Sequence, residues 1–133
     1  MLDKQHNLKV IHTLYVEDHA DTQEMIKVFL AIYGYSVVSA YSIADGLALA
    51  KSGSFDLYIL DSWLPDGDGL DLCKQIRTFD RDTPIIFISG VVFPSEIDKT
   101  IAAGAQAYLK KPIELSNLYY TLLQFTELVG ATN

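Results

Sequence analysis

The chain is poor in the residues that build sulfur sites or bind polyanions. Only one of its 133 residues is a cysteine, Cys73, which excludes a disulfide framework and a thiolate metal cluster and is typical of a reducing compartment. Lys and Arg number 10 against 17 Asp and Glu, so the formal net charge is -7. This deficit of positive charge opposes direct binding to nucleic acid or to an anionic membrane. It leaves room for a carboxylate-rich site that needs a cation.

Long apolar runs are also missing from the sequence. No run approaches the roughly 18 residues that span a bilayer, and the opening residues MLDKQHNLK lack the apolar centre of a signal peptide. We therefore expect a cytoplasmic protein with no membrane partner. Half of the residues are hydrophobic, 50%, and the length is that of one domain. We expect a single domain over residues 1–133 with its core at about 10–129.

Short apolar runs of β type alternate with helical patterns along the chain. Five runs predict strands of a parallel sheet that is covered on both faces, at residues 10–16, 36–40, 57–60, 85–88 and 107–109. Apolar residues at helical spacing predict five helices, the last of them reaching Val129. Five such βα units with short connections favour an α/β fold, a doubly wound parallel sheet with helices on both faces.

Polar residues and glycines mark where these helices begin and end. Thr22 and Ser42 are suitable N-terminal caps for the first and second helices. Gly34, Gly53 and Gly104 stand where helices should stop. The first, second and fourth predicted helices therefore each have a boundary signal close to an end of their apolar pattern.

Polar side chains follow four of the five predicted strands. Glu17 and Asp18 come after the first strand, Asp61 after the third, Ser89 after the fourth and Lys111 after the fifth. Because parallel strands bring their carboxyl ends to one edge of the sheet, we expect these side chains to form one site. Three carboxylates at one place repel one another, and a divalent cation relieves the repulsion. Oxygen ligands together with water favour Mg²⁺.

The residue types at this edge suit phosphoryl transfer. With Mg²⁺ bound, Asp61 can attack phosphorus, because a carboxylate forms an acyl phosphate once the developing charge is neutralised. Lys111 would pair with a phosphoryl oxygen, and the Ser89 hydroxyl would donate a hydrogen bond. Taken singly, Asp61 could cap a turn, Lys111 could be a solvated surface lysine and Ser89 a turn residue. Their joint occurrence at strand ends favours the site.

Four segments together resemble the receiver domain of bacterial two-component response regulators, in particular the single-domain chemotaxis-type regulator. They are Glu17-Asp18 after a strand, ILDSWLPDGDGLDL, IIFISG and GAQAYLKKP, and the resemblance covers residues from about 10 to 129. The spacing agrees as well as the residue types, since Lys111 lies 22 residues after Ser89. The resemblance implies a five-stranded, flavodoxin-like sheet with strand order 2-1-3-4-5.

The resemblance also implies a phosphoacceptor and a metal site. Asp61 would accept a phosphoryl group from a sensor histidine kinase or a histidine phosphotransfer protein. Glu17, Asp18, Asp61 and the backbone carbonyl of Trp63 would hold Mg²⁺. The chain would catalyse its own phosphorylation and dephosphorylation and would not be a turnover enzyme on a separate substrate.

A switch and an output surface follow from the same resemblance. Ser89 and Lys111 would contact the phosphoryl oxygens, the aromatic Tyr108 would move with Ser89, and the peptide bond before Pro112 would be cis. The fourth helix, fifth strand and fifth helix would form the output face, which would bind an effector protein or a second copy after phosphorylation. Surplus apolar residues in the fifth helix agree with such a face: Tyr119, Tyr120 and Leu123.

Two positions depart from the commonest receiver pattern. Glu17 replaces the first member of the more usual Asp pair, and its longer side chain is compatible with metal binding through water. Trp63 is bulky for the position two residues after the acceptor. These departures bear on the lifetime of the phosphoryl group rather than on its formation.

Two alternative functions remain open from the sequence. One is a receiver fold that only binds partners, without phosphorylation; its usual mark is loss of the acceptor or the lysine, and Asp61 and Lys111 are both present. The other is a haloacid-dehalogenase-type phosphatase, which also uses an Asp at a strand end with Mg²⁺. That enzyme class needs a second Asp two residues later, where this chain has Trp63.

Overall fold

The computed structural model describes residues 9–90 and 93–126. Its elements, in chain order, are β1 Ile11–Val16, α1 Ala20–Ile32, β2 Tyr35–Ala40, α2 Ile43–Ser52, β3 Leu57–Asp61, β4 Trp63–Leu64, β5 Gly67–Asp68, α3 Gly69–Arg77, β6 Ile85–Ser89, α4 Pro94–Ala102, β7 Ala107–Lys110 and α5 Leu115–Phe125. The five predicted strands and five predicted helices are all present, and each of these strands starts within one residue of its expected start. Val129 and both ends of the expected domain lie outside the described residues.

The main sheet is parallel and has five strands in the order β2-β1-β3-β6-β7. Counting only the strands of this sheet, the order is 2-1-3-4-5, so the predicted topology is confirmed. Every residue of β3 and of β6 is buried, because helices cover both faces of the sheet. Among the described helices, none is long and apolar enough to cross a membrane.

Two hydrophobic cores lie on opposite faces of the sheet, since successive strand residues point in opposite directions. One core packs Tyr15 and its neighbours against α1 and α5. The other packs Leu14 and its neighbours against α2 and α3, and includes Cys73, which is fully buried. Because the five strands are parallel, their carboxyl ends meet at one edge of the sheet. The two cores pack on the opposite faces of this sheet.

The predicted helix boundaries are mostly confirmed. Ser42 caps α2, because its hydroxyl accepts a hydrogen bond from an N–H of the first turn at 3.1 Å. The prediction for α1 is wrong: the cap is His19, whose Nδ1 accepts a hydrogen bond from the Thr22 N–H at 3.2 Å. The three glycines expected to end helices lie at or just after the C-terminal caps of α1, α2 and α4, respectively: Gly34, Gly53 and Gly104.

A short hairpin, β4 paired with β5, follows β3 directly and was not predicted from the sequence. Gly67 begins β5 at a positive φ of 147°, which a side chain would disfavour. Between the two strands, the Asp66 carboxylate accepts hydrogen bonds from the N–H groups of Ile43 at 2.7 Å and Ala44 at 3.0 Å. These bonds satisfy donors at the start of α2 and lower the pKa of Asp66. The loop after β3 is thereby tied to a helix that is distant in sequence.

Gly69, the first residue of α3, lies against the backbone of β3. A Cβ at this position would overlap the backbone oxygen of Asp61. The requirement for glycine here is close approach, since Gly69 is not among the residues with a positive φ. A larger residue would therefore displace the backbone that carries Asp61.

We expect Gly69→Ala to lower the free energy of unfolding by about 3 kcal/mol, a cost typical of forced overpacking. Gly90→Ala is the matched control, because a Cβ at Gly90 meets nothing within 4 Å; its effect should stay within about 1 kcal/mol. Urea denaturation followed by circular dichroism measures both. Equal midpoints for the two variants would contradict the close approach of Gly69 to β3.

Candidate functional site

Three carboxylates meet at the carboxyl edge of β1 and β3. Glu17 and Asp18 follow the last residue of β1, and Asp61 is the last residue of β3. One oxygen from each carboxylate lies within 4.8 Å of the other two. Glu17 and Asp61 are buried, with 1% and 4% of their surface exposed, whereas Asp18 is exposed. The sheet brings these three side chains together as the strand-end argument predicts.

Lys111 joins this cluster from the loop after β7. Its Nζ lies 3.1 Å from Glu17 Oε1 and 3.2 Å from Asp61 Oδ2. Its backbone N–H donates to the Ser89 carbonyl at 2.8 Å, and the Lys111–Pro112 peptide bond is cis, the isomer that the resemblance implies. Burial alone would lower the pKa of Lys111, but the hydrogen bond and charges of Glu17 and Asp61 outweigh it and raise the pKa. The ammonium group therefore stays charged.

The charge of the cluster suits a divalent cation. Three carboxylates and one ammonium sum to -3 + 1 = -2 when all are ionised. Burial, and then the nearby Asp61 charge, raise the pKa of Glu17, which shows that the cluster concentrates negative charge away from water. The three oxygens lie within 4.8 Å of one another, a spread comparable with the about 4.2 Å between opposite oxygens around Mg²⁺. The donor set and its charge therefore fit Mg²⁺.

Ser89 lies on β6, which pairs with the strand that ends in Asp61, and Tyr108 lies on β7, the next strand of the sheet. Asp61 pairs in register with Ile88, so Ser89 lies one residue beyond it at the end of β6, fully buried. The Tyr108 ring, on β7, is nearly parallel to that of Phe87, with ring centres 6.2 Å apart. Ser89 therefore lies at the same sheet edge as Asp61, and Tyr108 lies one strand further along the sheet.

Trp63 lies two residues after Asp61, at the start of β4. Its backbone N–H donates to Asp61 Oδ1 at 3.5 Å, so its backbone lies next to the carboxylates. Its side chain is 72% exposed and, together with Phe93 and Tyr108, lines a cavity of about 270 Å³. The indole therefore lines a cavity between the loop after β3 and α4, whereas Glu17, Asp18 and Lys111 line a separate cavity.

Two residues near the site were missed by sequence reasoning. The Tyr15 hydroxyl donates to Glu17 Oε1 at 3.3 Å. Gln23, buried in α1, donates through Nε2 to the carbonyls of Tyr15 at 2.9 Å, Glu17 at 3.2 Å and Ala40 at 2.9 Å. Strand alternation could have shown that Tyr15 shares a face with Glu17. A glutamine among apolar helix positions could have shown that a buried amide needs partners.

The response regulator receiver domain family has a sequence model that matches residues 13–123 of this chain. The chain belongs to this family. The match spans β1 to most of α5 and includes every residue of the carboxylate cluster and Lys111. The alternative of a haloacid-dehalogenase-type phosphatase does not agree with this family membership.

Proteins that are similar to this chain in sequence or in structure are consistent with membership of the receiver domain family. The transcriptional regulatory protein DltR of Streptococcus agalactiae is 37% identical over 105 residues, which are 79% of this chain and 47% of that protein. The chain spans about half the length of the curated relatives it matches. A two-component response regulator from Clostridium difficile superposes with a TM-score of 0.83 at 30% identity, covering 86% of this chain and 94% of that one. The chemotaxis response regulator CheY4 of Vibrio cholerae superposes with a TM-score of 0.84 at 28% identity, covering 89% and 100%.

In this receiver domain, Lys111 Nζ contacts oxygens of Glu17 and Asp61, two of the three carboxylates that could hold a metal ion. We expect Lys111→Ala to bind Mg²⁺ about fivefold more tightly, the effect of roughly 1 kcal/mol between charges about 4 Å apart in water. Fluorescence of Trp63, the single tryptophan, can follow the titration. Lys110→Ala is the matched control, because Lys110 is the exposed neighbour and should leave the affinity unchanged. Weaker Mg²⁺ binding by Lys111→Ala would contradict this role.

Proposed function

We propose that this chain is a single receiver domain, with its core at about residues 10–129, that accepts a phosphoryl group on Asp61. Mg²⁺ would be held by Glu17, Asp18, Asp61 and the carbonyl of Trp63. One observation carries the proposal: Asp61 is buried at the sheet edge near a second buried carboxylate, Glu17, and the Lys111 ammonium contacts both. This arrangement joins a nucleophile, oxygen ligands and a cation for phosphoryl oxygens within one contact network.

The proposed reaction transfers phosphorus from nitrogen to oxygen. An Asp61 carboxylate oxygen attacks the phosphorus of a phosphohistidine, the O–P bond forms, and the P–N bond breaks as the imidazole leaves. Bound Mg²⁺ supplies charge neutralisation for the phosphoryl oxygens. Lys111 leaves Asp61 Oδ2 and pairs with a phosphoryl oxygen, and the Ser89 hydroxyl donates to another. The chain acts on itself in both phosphorylation and dephosphorylation and turns over no separate substrate.

The phosphoryl donor is a protein. A sensor histidine kinase or a histidine phosphotransfer protein supplies the phosphohistidine, and the reaction takes place in the cytoplasm. Support for a histidine donor comes from the response regulator receiver family to which the chain belongs. Direct binding to nucleic acid or to a membrane is not part of this function, in keeping with the net charge of -7.

Phosphorylation would change the face formed by α4, β7 and α5. Ser89 and Tyr108 would couple Asp61 to this face, because Tyr108 lies on β7 beside the strand that ends in Ser89. Tyr120 is 64% exposed and Leu123 36%, so both are available to an effector protein or a second copy of the chain. Tyr119 instead stacks on Tyr33, the residue directly after α1, with ring centres 4.1 Å apart, and contributes to the contact between the end of α1 and α5.

Acetyl phosphate should add the mass of one phosphoryl group to the intact chain in the presence of Mg²⁺, because the site is assembled around Asp61. Asp61→Asn should remain unlabelled. Asp71→Asn is the matched control, since Asp71 is exposed in the first turn of α3, and it should label like the parent chain. Intact-mass spectrometry with and without a chelator measures all three.

Two results of that experiment would overturn the proposal. Labelling of Asp61→Asn to the level of the parent chain would move the acceptor elsewhere. Absence of Mg²⁺-dependent labelling in the parent chain would favour the alternative function, a receiver fold that binds partners without phosphorylation.

A further inference from the structure

Glu17 stands where the receiver pattern more often has Asp, and its longer side chain is held by several donors. Oε1 accepts from the Tyr15 hydroxyl at 3.3 Å and lies 3.1 Å from Lys111 Nζ. Oε2 accepts from the His19 N–H at 3.2 Å. Lys111 has to move to a phosphoryl oxygen in the proposed reaction, so Tyr15 and His19 are the donors that stay with Glu17.

The backbone of Glu17 is already fixed without Tyr15. Gln23 Nε2 donates to the Glu17 carbonyl at 3.2 Å, and the Glu17 N–H donates to the Ala40 carbonyl at 3.0 Å. These backbone hydrogen bonds do not restrain the Glu17 side chain, which has one more torsion than that of Asp. A donor that holds its carboxylate removes that freedom before a metal ion binds.

Tyr15 has the position and the burial that such a donor requires. It lies two residues before Glu17, on the same face of β1, so its side chain and that of Glu17 share one side of the sheet. The ring is fully buried in the core against α1 and α5. A tyrosine hydroxyl is a donor at neutral pH, and the ionised Glu17 carboxylate can only accept, so the hydroxyl donates to Glu17 Oε1.

We propose that Tyr15 is a positioning residue of the metal site, whose hydroxyl holds the longer Glu17 side chain where its carboxylate binds Mg²⁺. This inference rests on the proposed function, since it assumes that Glu17 takes part in metal binding. Hydrogen-bond partners of metal-binding carboxylates typically contribute 10–100-fold to metal affinity. Tyr15 belongs at the lower end of that range, because the His19 N–H also holds Glu17.

Tyr15→Phe should therefore weaken Mg²⁺ binding about tenfold, as measured by isothermal titration calorimetry. Tyr58→Phe is the matched control: Tyr58 is also buried in the sheet, and its hydroxyl donates to a carboxylate, Asp80 Oδ2, at 3.2 Å. Both variants lose one buried hydrogen bond and should lose similar stability in urea. Only Tyr15→Phe should change Mg²⁺ affinity.

The second arm repeats Tyr15→Phe in a Glu17→Asp background. The shorter carboxylate draws back from the phenol, so removing the hydroxyl should now change Mg²⁺ affinity by less than about twofold. A general defect of core packing would instead lower the affinity by the same factor in both backgrounds. That outcome, or equal affinity of Tyr15→Phe and the parent chain, would overturn the inference.

Failure of this inference can be told apart from failure of the proposed function. If the parent chain binds Mg²⁺ and Asp18→Asn weakens the binding while Tyr15→Phe does not, the metal site stands and only the role of Tyr15 is wrong. If the parent chain binds no Mg²⁺, the proposed function and the role of Tyr15 both fail.

Discussion

Two buried carboxylates share a single ammonium group, and the rest of the site depends on that imbalance. Glu17 and Asp61 both contact Lys111 Nζ, while Asp18 adds a third negative charge at the rim. Like charges held together away from water are costly unless they are compensated. The cluster therefore favours a divalent cation, and it leaves Lys111 able to exchange its carboxylate partners for the oxygens of an incoming phosphoryl group.

The fold keeps these charges together because it gives their strands little freedom. Helices on both faces bury every residue of β3 and β6, and Gly69 lets α3 start against the backbone of Asp61. Asp66 ties the loop after Asp61 to the first turn of α2 through two backbone N–H groups. Asp61 thus lies at the end of a fully buried strand, while the hairpin that carries Trp63 is anchored at its turn.

Much of this arrangement could be predicted from sequence, because a parallel sheet converts strand ends into one edge. The five strands, their order and the meeting of Glu17, Asp18, Asp61 and Lys111 follow from apolar runs and from the receiver motifs. The features that were missed depend on partners distant in sequence or on weak local signals. Strands of two residues, such as β4 and β5, are too short to show alternation, and the role of Tyr15 depends on how far a side chain reaches once it is packed.

The most direct test of the central claim is a crystal structure of the chain with Mg²⁺ and beryllofluoride, a stable mimic of the phosphoryl group. The account predicts beryllium bound to an Asp61 carboxylate oxygen, Mg²⁺ on the oxygens of Glu17, Asp18 and Asp61, and Lys111 Nζ moved from Asp61 to a fluorine. Beryllium on another carboxylate, or Lys111 still bridging Glu17 and Asp61 beside an occupied acceptor, would contradict it.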